Sequence, residues 1–336
     1  MTPNMTEHQQ NISTAASPAP LTGESYNKIL AIADEVEKVV IGKRDVIKLL
    51  LIALLSRGHV LIEDVPGVGK TTLATALGKS MGLNCKRAQF TPDVMASDIT
   101  GFTMFNKEKS VFEYKQGLVM CNIFLADEIN RTSPKTQSAL LEAMEEGTVT
   151  VDSNIHALPN PFMVIATQNE VGYVGTYPLP EAQLDRFLMK ISMGYPTKEQ
   201  EIGIIADRQQ GNPLSNMRSI CSRDELSAII DGVRTVHMES AIYEYIVGLV
   251  AATRSHRCVM LGASPRASLM LMRASQSCAF VSGRAYVTPE DVLKMVPHVL
   301  SHRLILTQES KIRKVSEAQV LEEVAKTVPV PFVGTT

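Results

Sequence analysis

Residues Val60–Leu73 read VLIEDVPGVGKTTL: an apolar run, a glycine-bearing loop, a lysine with two hydroxyls, and the start of a helix-forming run. Val60–Ile62 has the character of a buried strand, and it stops at a loop containing Pro66, Gly67, Val68 and Gly69. Glycines at 67 and 69 let the backbone turn so that successive N–H groups face one anion. Lys70 would then reach the β- and γ-phosphates of a nucleotide, Thr71 would offer its hydroxyl to Mg²⁺, and Asp64, Pro66, Val68 and Thr72 complete the expected contact set. The strict spacing asks for glycine at position 64, where this chain has Asp64. Taken alone, the stretch implies nucleotide binding and little more.

Outward from this loop, short apolar runs alternate with helical periodicity. Ile29, Ile32, Val36 and Val39 share one helix face, and Lys43–Ser56 reads as a second helix leading into the Val60 strand. Further strands are expected at Cys85–Phe90, Asn122–Ala126, Pro161–Thr167 and Phe187–Met193, with a helix capped by Thr132 or Ser133 between two of them. Strands separated by helices imply a parallel sheet covered on both faces. Two irregular stretches, 91–117 and 148–158, carry turn signals flanked by alternating residues and are expected to be hairpins. Past Tyr195–Pro196 the texture is wholly helical. Capping boxes recur there (Thr197 with Gln200, Ser222 with Glu225, Ser316 with Gln319), as do the cap-plus-proline starts Ser264–Pro265 and Thr288–Pro289. The expected organisation is a tail over 1–22, too polar and small-residue-rich to offset the cost of ordering, an α/β unit over 23–195 and a helical unit over 196–336.

Composition narrows the function class. The chain has 336 residues with 45 % apolar and 20 % charged content, the profile of a soluble globular protein. A net charge of −2 argues against a dedicated nucleic-acid surface. The apolar runs are too short to cross a bilayer, and no secretory signal precedes the first helix. The five cysteines are scattered and never spaced as CxxC, which suits reduced thiols in a cytoplasm. His298 and His302 lie four apart, but Val299 stands where a metalloprotease helix would carry glutamate, so they read as ordinary helix-surface histidines.

In open parallel sheets, ligands gather at the carboxyl ends of strands. Asp127 directly follows the NIFLA strand, where a carboxylate can orient Mg²⁺ or its water shell, and Glu128 beside it can polarise a water for attack on the γ-phosphate. Asn169, after PFMVIATQ, is suited to bonding that water or the γ-phosphate. Arg186, at the end of PLPEAQLDR, is suited to supplying charge to a neighbouring subunit's γ-phosphate; the plainer alternative is an ion pair with Asp185. Arg266 follows the cap Ser264 and sits at a helix N-terminus, a posture for reading a γ-phosphate. The nearest approach to a guanine-reading sequence, Asn106–Lys109 (NKEK), lacks its aspartate, so ATP is preferred.

The segments LIEDVPGVGKTTLA, FLADEINRTSPKTQSALLEAMEE, VIATQNE and GTYPLPEAQLDRF together resemble MoxR-type AAA+ ATPases, from about Gly23 to about Arg303. That resemblance implies a five-stranded parallel core of order 5-1-4-3-2 with a C-terminal helical lid. It puts Lys70 and Thr71 on Walker A, Asp127 and Glu128 on Walker B, Asn169 on sensor 1, Arg186 on the arginine finger and Arg266 on sensor 2. Val40, Ile41 and Gly42 would meet adenine, and Arg131 would be a further trans-acting or structural arginine. Asp64 in place of glycine is usual for such proteins. Hexameric rings are implied, acting on a client protein together with a partner carrying a von Willebrand factor A domain, often in metal-cofactor insertion. Two other functions compete with a protein remodeller: a nucleic-acid motor of the related helicase type, for which no basic run or zinc ribbon speaks, and a nucleotide-gated scaffold.

Overall fold

The computed structural model describes residues 21–168, 176–209 and 211–332. The tail expected over 1–22 lies outside them except for its last two residues, and Thr22 already caps the first helix by accepting the Ser25 N–H. That helix, α1 (Gly23–Glu37), turns its Ile29, Ile32 and Val36 face inward, and α2 (Arg44–Leu55) is buried along most of its length. The chain then enters β1 (Val60–Glu63), the phosphate-loop turn and α3 (Lys70–Ser80), followed by β2 (Cys85–Gln89) and a short α4 (Ala96–Thr100).

A hairpin of β3 (Gly101–Asn106) and β4 (Val111–Gln116) comes next, its turn closed by Asn106 Oδ1, which accepts the N–H groups of Glu108 and Lys109. After β5 (Ile123–Asp127) and α5 (Pro134–Glu146), capped by Ser133, a second hairpin forms from β6 (Thr148–Val151) and β7 (Asn154–Ala157). The two hairpins lean on one another through Tyr114 and His156, whose rings stack at 3.8 Å. The core closes with β8 (Met163–Gln168), the single turn α6 (Glu181–Leu184) and β9 (Met189–Ile191).

Five strands make one sheet, in the order β2-β5-β8-β1-β9, and every pairing is parallel. Counted among themselves the strands run 5-1-4-3-2, as expected. Val60, Leu61, Ile62 and Ile123 to Ala126 are buried, because helices cover both faces and leave no wet side for alternation. The register sets Gln89 opposite Asp127 and Glu63 opposite Gln168, so the carboxyl ends of four strands share one rim.

Beyond the core lie α7 (Lys198–Gln209), α8 (Arg223–Val233), α9 (Ser240–Ser255), a short β10 (Val259–Leu261), α10 (Pro265–Val281), α11 (Pro289–Leu300), β11 (Ile305–Leu306), α12 (Gln308–Ile312) and α13 (Glu317–Thr327). The capping boxes at Thr197, Ser222 and Ser316 form as the sequence suggests. A two-stranded antiparallel ribbon of β10 and β11 interrupts the expected all-helical texture. Helix α10 packs on α2, where Ser56 and Ser277 share a buried hydroxyl contact of 2.8 Å.

His59, just ahead of β1, ties three elements together. Its Nε2 lies 3.0 Å from the Met144 carbonyl at the end of α5, and its Nδ1 accepts the Val164 N–H of β8 at 3.0 Å. One ring nitrogen donates and the other accepts, so the imidazole is neutral; burial pushes its pKa down to about 4, against the Met144 carbonyl's opposing pull. The unfolded chain therefore binds more protons than the folded one between about pH 6.5 and 4, and stability is lost as pH falls through that window. We expect the unfolding free energy read from denaturant titrations to fall by about 2 kcal/mol between pH 7 and pH 5 from this residue. A flat profile over that range would contradict the buried neutral ring.

Candidate active site

At the carboxyl end of β1 the chain turns through Gly67 (φ 86°) and Gly69 (φ 94°). A Cβ at either position would meet nothing within 4 Å, so glycine is required there by backbone conformation, while the mouth of the loop stays open. Lys70 opens α3 and reaches back across the loop, donating to the Asp64 carbonyl at 3.1 Å. Burial draws its ammonium pKa down, opposed by the charges of Asp64, Asp127 and Glu128, which places loop and acids around one space.

The two acids sit in a web the sequence did not reveal. Asp127 Oδ1 accepts the Thr167 hydroxyl at 2.7 Å, and the same hydroxyl accepts the Glu128 N–H at 2.8 Å, so one buried threonine on β8 fixes both acids. Glu128 is held in the left-handed region (φ 58°, ψ 51°), a conformation costing of order 1–3 kcal/mol and found where a side chain must be aimed. Arg87 on β2 meets Asp127 Oδ2 at 2.7 Å; Gln89 and Arg131 donate to Glu128 Oε2 at 2.9 and 2.8 Å. Arg131 thus pairs with Glu128 within its own chain. Asn169 lies outside the described residues.

Beside the loop a cleft is lined by Val40, Ile41, Gly67, Val68, Gly69 and Thr72, and closed from the lid side by Pro196, Ile204, Asp207 and Pro213. Gly42 is not part of that lining; it is left-handed (φ 69°) and packs against Gln200. Asp64, expected among the nucleotide contacts, is placed otherwise. Its Oδ2 accepts the N–H groups of Met193 (2.5 Å) and Gly194 (2.8 Å) and the Ser192 hydroxyl (3.2 Å), and its Oδ1 accepts the Val65 N–H. Burial raises this carboxyl's pKa, but those donors outweigh it and hold the group below the usual carboxylate range. From the other side, Lys43 Nζ donates to the carbonyls of Met193, Gly194 and Tyr195 at 2.7, 3.1 and 3.1 Å. The turn leaving β9 is thereby gripped by its N–H groups and its carbonyls at once.

The two remaining arginines stand on the opposite rim. Arg186 Nη2 meets Glu145 Oε2 at 3.2 Å, and Arg266 Nη2 meets Glu145 Oε1. They line one cavity with Gly58 and His59, which precede β1, whereas the phosphate loop follows it. The strand lying between those two ends is roughly 13 Å long. This placement bears on how each of them can act. Arg186 pairs with Glu145 and not with Asp185, the plainer alternative, and Arg266 lies beside it, on the rim where α10 packs on α2. His302 is corrected: it is buried, not on a helix surface, since α11 ends at Leu300 and the tighter turn Ser301–Arg303 swings it toward the Phe187 carbonyl, 3.1 Å from Nε2.

The residues present fit a nucleotide with a divalent cation. The loop is open, its N–H groups lie at a helix start, and Thr71 and Asp127 are hard oxygen donors of the kind Mg²⁺ accepts beside phosphate. A parallel sheet of this order with such a loop and acid pair defines a P-loop ATPase of the AAA+ type. Comparison with known proteins agrees: residues 59–189 match the ATPase family associated with various cellular activities (AAA), and residues 251–324 match the AAA lid domain. The chain is 48 % identical to the uncharacterized protein YeaC of Bacillus subtilis, over 89 % of this chain and 93 % of that one. It is 40 % identical to chaperone MoxR1 of Mycobacterium tuberculosis, over 89 % and 81 %. A crystal structure of a candidate ATPase from Cytophaga hutchinsonii superposes with a TM-score of 0.86 at 40 % identity, over 92 % of this chain and 96 % of that one. The chain belongs to the MoxR family of AAA+ ATPases.

Proposed function

We propose that this ATPase works as a ring of like subunits, most simply a hexamer, that hydrolyses ATP at sites shared between neighbours and uses the cycle to remodel a partner protein. The observation carrying this reading is the division of charge: loop and acids occupy one rim, Arg186 and Arg266 the other, so one chain holds both halves of a site and cannot close them on itself. A head-to-tail ring brings the halves together.

In such a site Val40 and Ile41 pack on adenine, and the loop N–H groups with Lys70 hold the phosphates. Thr71 and Asp127 hold Mg²⁺, which when bound balances phosphate charge and orients oxygens. Glu128 takes the proton of the attacking water as general base. Asn169 orients that water, and a neighbour's Arg186 and Arg266 stabilise the charge that develops on the γ-phosphate. Arg87 and Gln89 of β2, unread in the sequence, hold the two acids. The exposed hairpin residues Phe112 and Ile155 offer apolar contact to a client, and the chaperone name of the Mycobacterium relative supports that use. A von Willebrand factor A-domain partner, a role in metal-cofactor insertion and a cytoplasmic site of action belong to the same proposal.

Dilution tests it. Turnover per chain is expected to rise steeply with protein concentration and to level off as sedimentation shows assembly complete. Equal turnover per chain in a monomeric sample would overturn the shared site. DNA-stimulated turnover that weakens with salt would replace the protein client by a nucleic acid.

A further inference from the structure

Arg303, in the turn after α11, is almost entirely buried, its side chain 1 % exposed. A guanidinium is costly to bury, and burial without full pairing would be strongly destabilising. Here nearly every donor is used. Nε meets Asp185 Oδ1 at 2.7 Å; Nη2 donates to the carbonyls of Asp185 (3.0 Å) and Phe187 (2.6 Å); Nη1 donates to the Val299 carbonyl. Asp185 and Phe187 are the residues on either side of Arg186, so the backbone carrying Arg186 is clasped before and behind.

Asp185 does a second thing. Its other oxygen, Oδ2, accepts the Ser264 hydroxyl at 3.1 Å. Ser264 stands at the N-cap position of α10, two residues ahead of Arg266. A single carboxylate thus joins the start of α10 to the segment bearing Arg186, and the two arginine heads meet again on the two oxygens of Glu145. Arg186 and Arg266, 80 residues apart in sequence, are bound into one rigid pair at root and tip.

We propose that Arg303 is a positioning residue for the shared ATPase site: acting through Asp185, it fixes Arg186 and Arg266 as one unit presented to the neighbouring subunit's nucleotide. This rests on the shared-site reading above. Arg303 never touches the nucleotide. Its loss leaves a chain's own phosphate loop intact and spoils what that chain offers to its neighbour. A misplacement of an ångström at a charge-stabilising group costs about 100-fold in rate.

Mixed assemblies of the full chain separate this from a staple that merely joins lid to core. Arg303→Met chains keep their own loop and acids but offer poorly held arginines. Glu128→Gln chains lack the base but offer well-held arginines. Arg303→Met alone is expected to turn over ATP about 100-fold more slowly than the parent, and Glu128→Gln alone about 10²–10⁴-fold more slowly. Mixed one to one, turnover should recover to about a quarter of the parental rate, the share of interfaces in a random ring where an Arg303→Met nucleotide site faces Glu128→Gln arginines. Arg186→Ala mixed with Glu128→Gln is the control, and its failure to recover would remove the shared site itself. Recovery in that control but none with Arg303→Met, in chains that still bind nucleotide like the parent, would make Arg303 a structural staple only. Parental turnover by Arg303→Met alone would also overturn the proposal. Should Arg303→Met not fold, Asp185→Asn, isosteric at the same junction, takes its place with the same expectations.

Discussion

Glu128→Gln is expected to bind ATP as the parent does and to hydrolyse it about 10²–10⁴-fold more slowly, the range a positioned general base contributes. The substitution keeps shape and hydrogen-bonding reach. The amide oxygen can still accept from Gln89 Nε2 and Arg131, which meet Glu128 Oε2 at 2.9 and 2.8 Å, so the aim of the side chain survives. The left-handed backbone at 128 and the Thr167 hydroxyl on its N–H are likewise untouched. What disappears is the capacity to take a proton. Steady-state turnover beside an equilibrium titration with nucleotide measures both halves of the expectation. Turnover within tenfold of the parent would take the proton-accepting role away from Glu128.

Arg186→Ala should lose about 10³-fold or more in turnover by the assembled protein while single chains bind nucleotide unchanged, the signature of a charge supplied in trans. The phosphate loop is a strand's length away on the other rim, so binding has no reason to change. Folding has little reason to change either. Arg186 is a partly exposed side chain, Glu145 keeps its pair with Arg266, and loss of one such surface ion pair costs at most about 1 kcal/mol. Turnover at the parental rate would reduce Arg186 to a surface partner of Glu145.

The sheet was legible because its strands are short apolar runs that stop at polar or glycine residues, a pattern imposed by burial on both faces followed by an abrupt exit at the rim. The hairpin turn at Asn106 was legible for a local reason, one side chain bonding two nearby N–H groups. The rim that gathers the loop, Asp127 and Glu128 followed from strand ends. The web around the acids did not: Arg87 and Gln89 lie on a strand whose sequence, CKRAQ, carries no sign of their partners, and only the β2–β5 register sets Gln89 beside Asp127. The fate of Asp64 was equally hidden, since its partners at 193 and 194 lie 129 and 130 residues away. His302 was misread because a change from one helix type to another shifts the inward face, and no single spacing rule spans that change. Arg266 was read correctly as a residue at a helix start, but which rim that helix meets depends on how α10 packs against α2.

The grip on Met193–Tyr195 has a thermodynamic side. Asp64 is the residue at which β1 becomes the phosphate loop, and Lys43 borders the cleft beside that loop, so the peptide that leads to the lid is anchored to both. If nucleotide occupancy shifts either anchor, it shifts the preferred angle of everything beyond Pro196. The reverse then holds by the same factor: whatever leans on the lid from outside, a neighbouring subunit or a client, retunes the affinity of the cleft for its nucleotide. A typical coupling of 1–3 kcal/mol would alter occupancy about 5- to 150-fold without any residue of the cleft being touched by the effector.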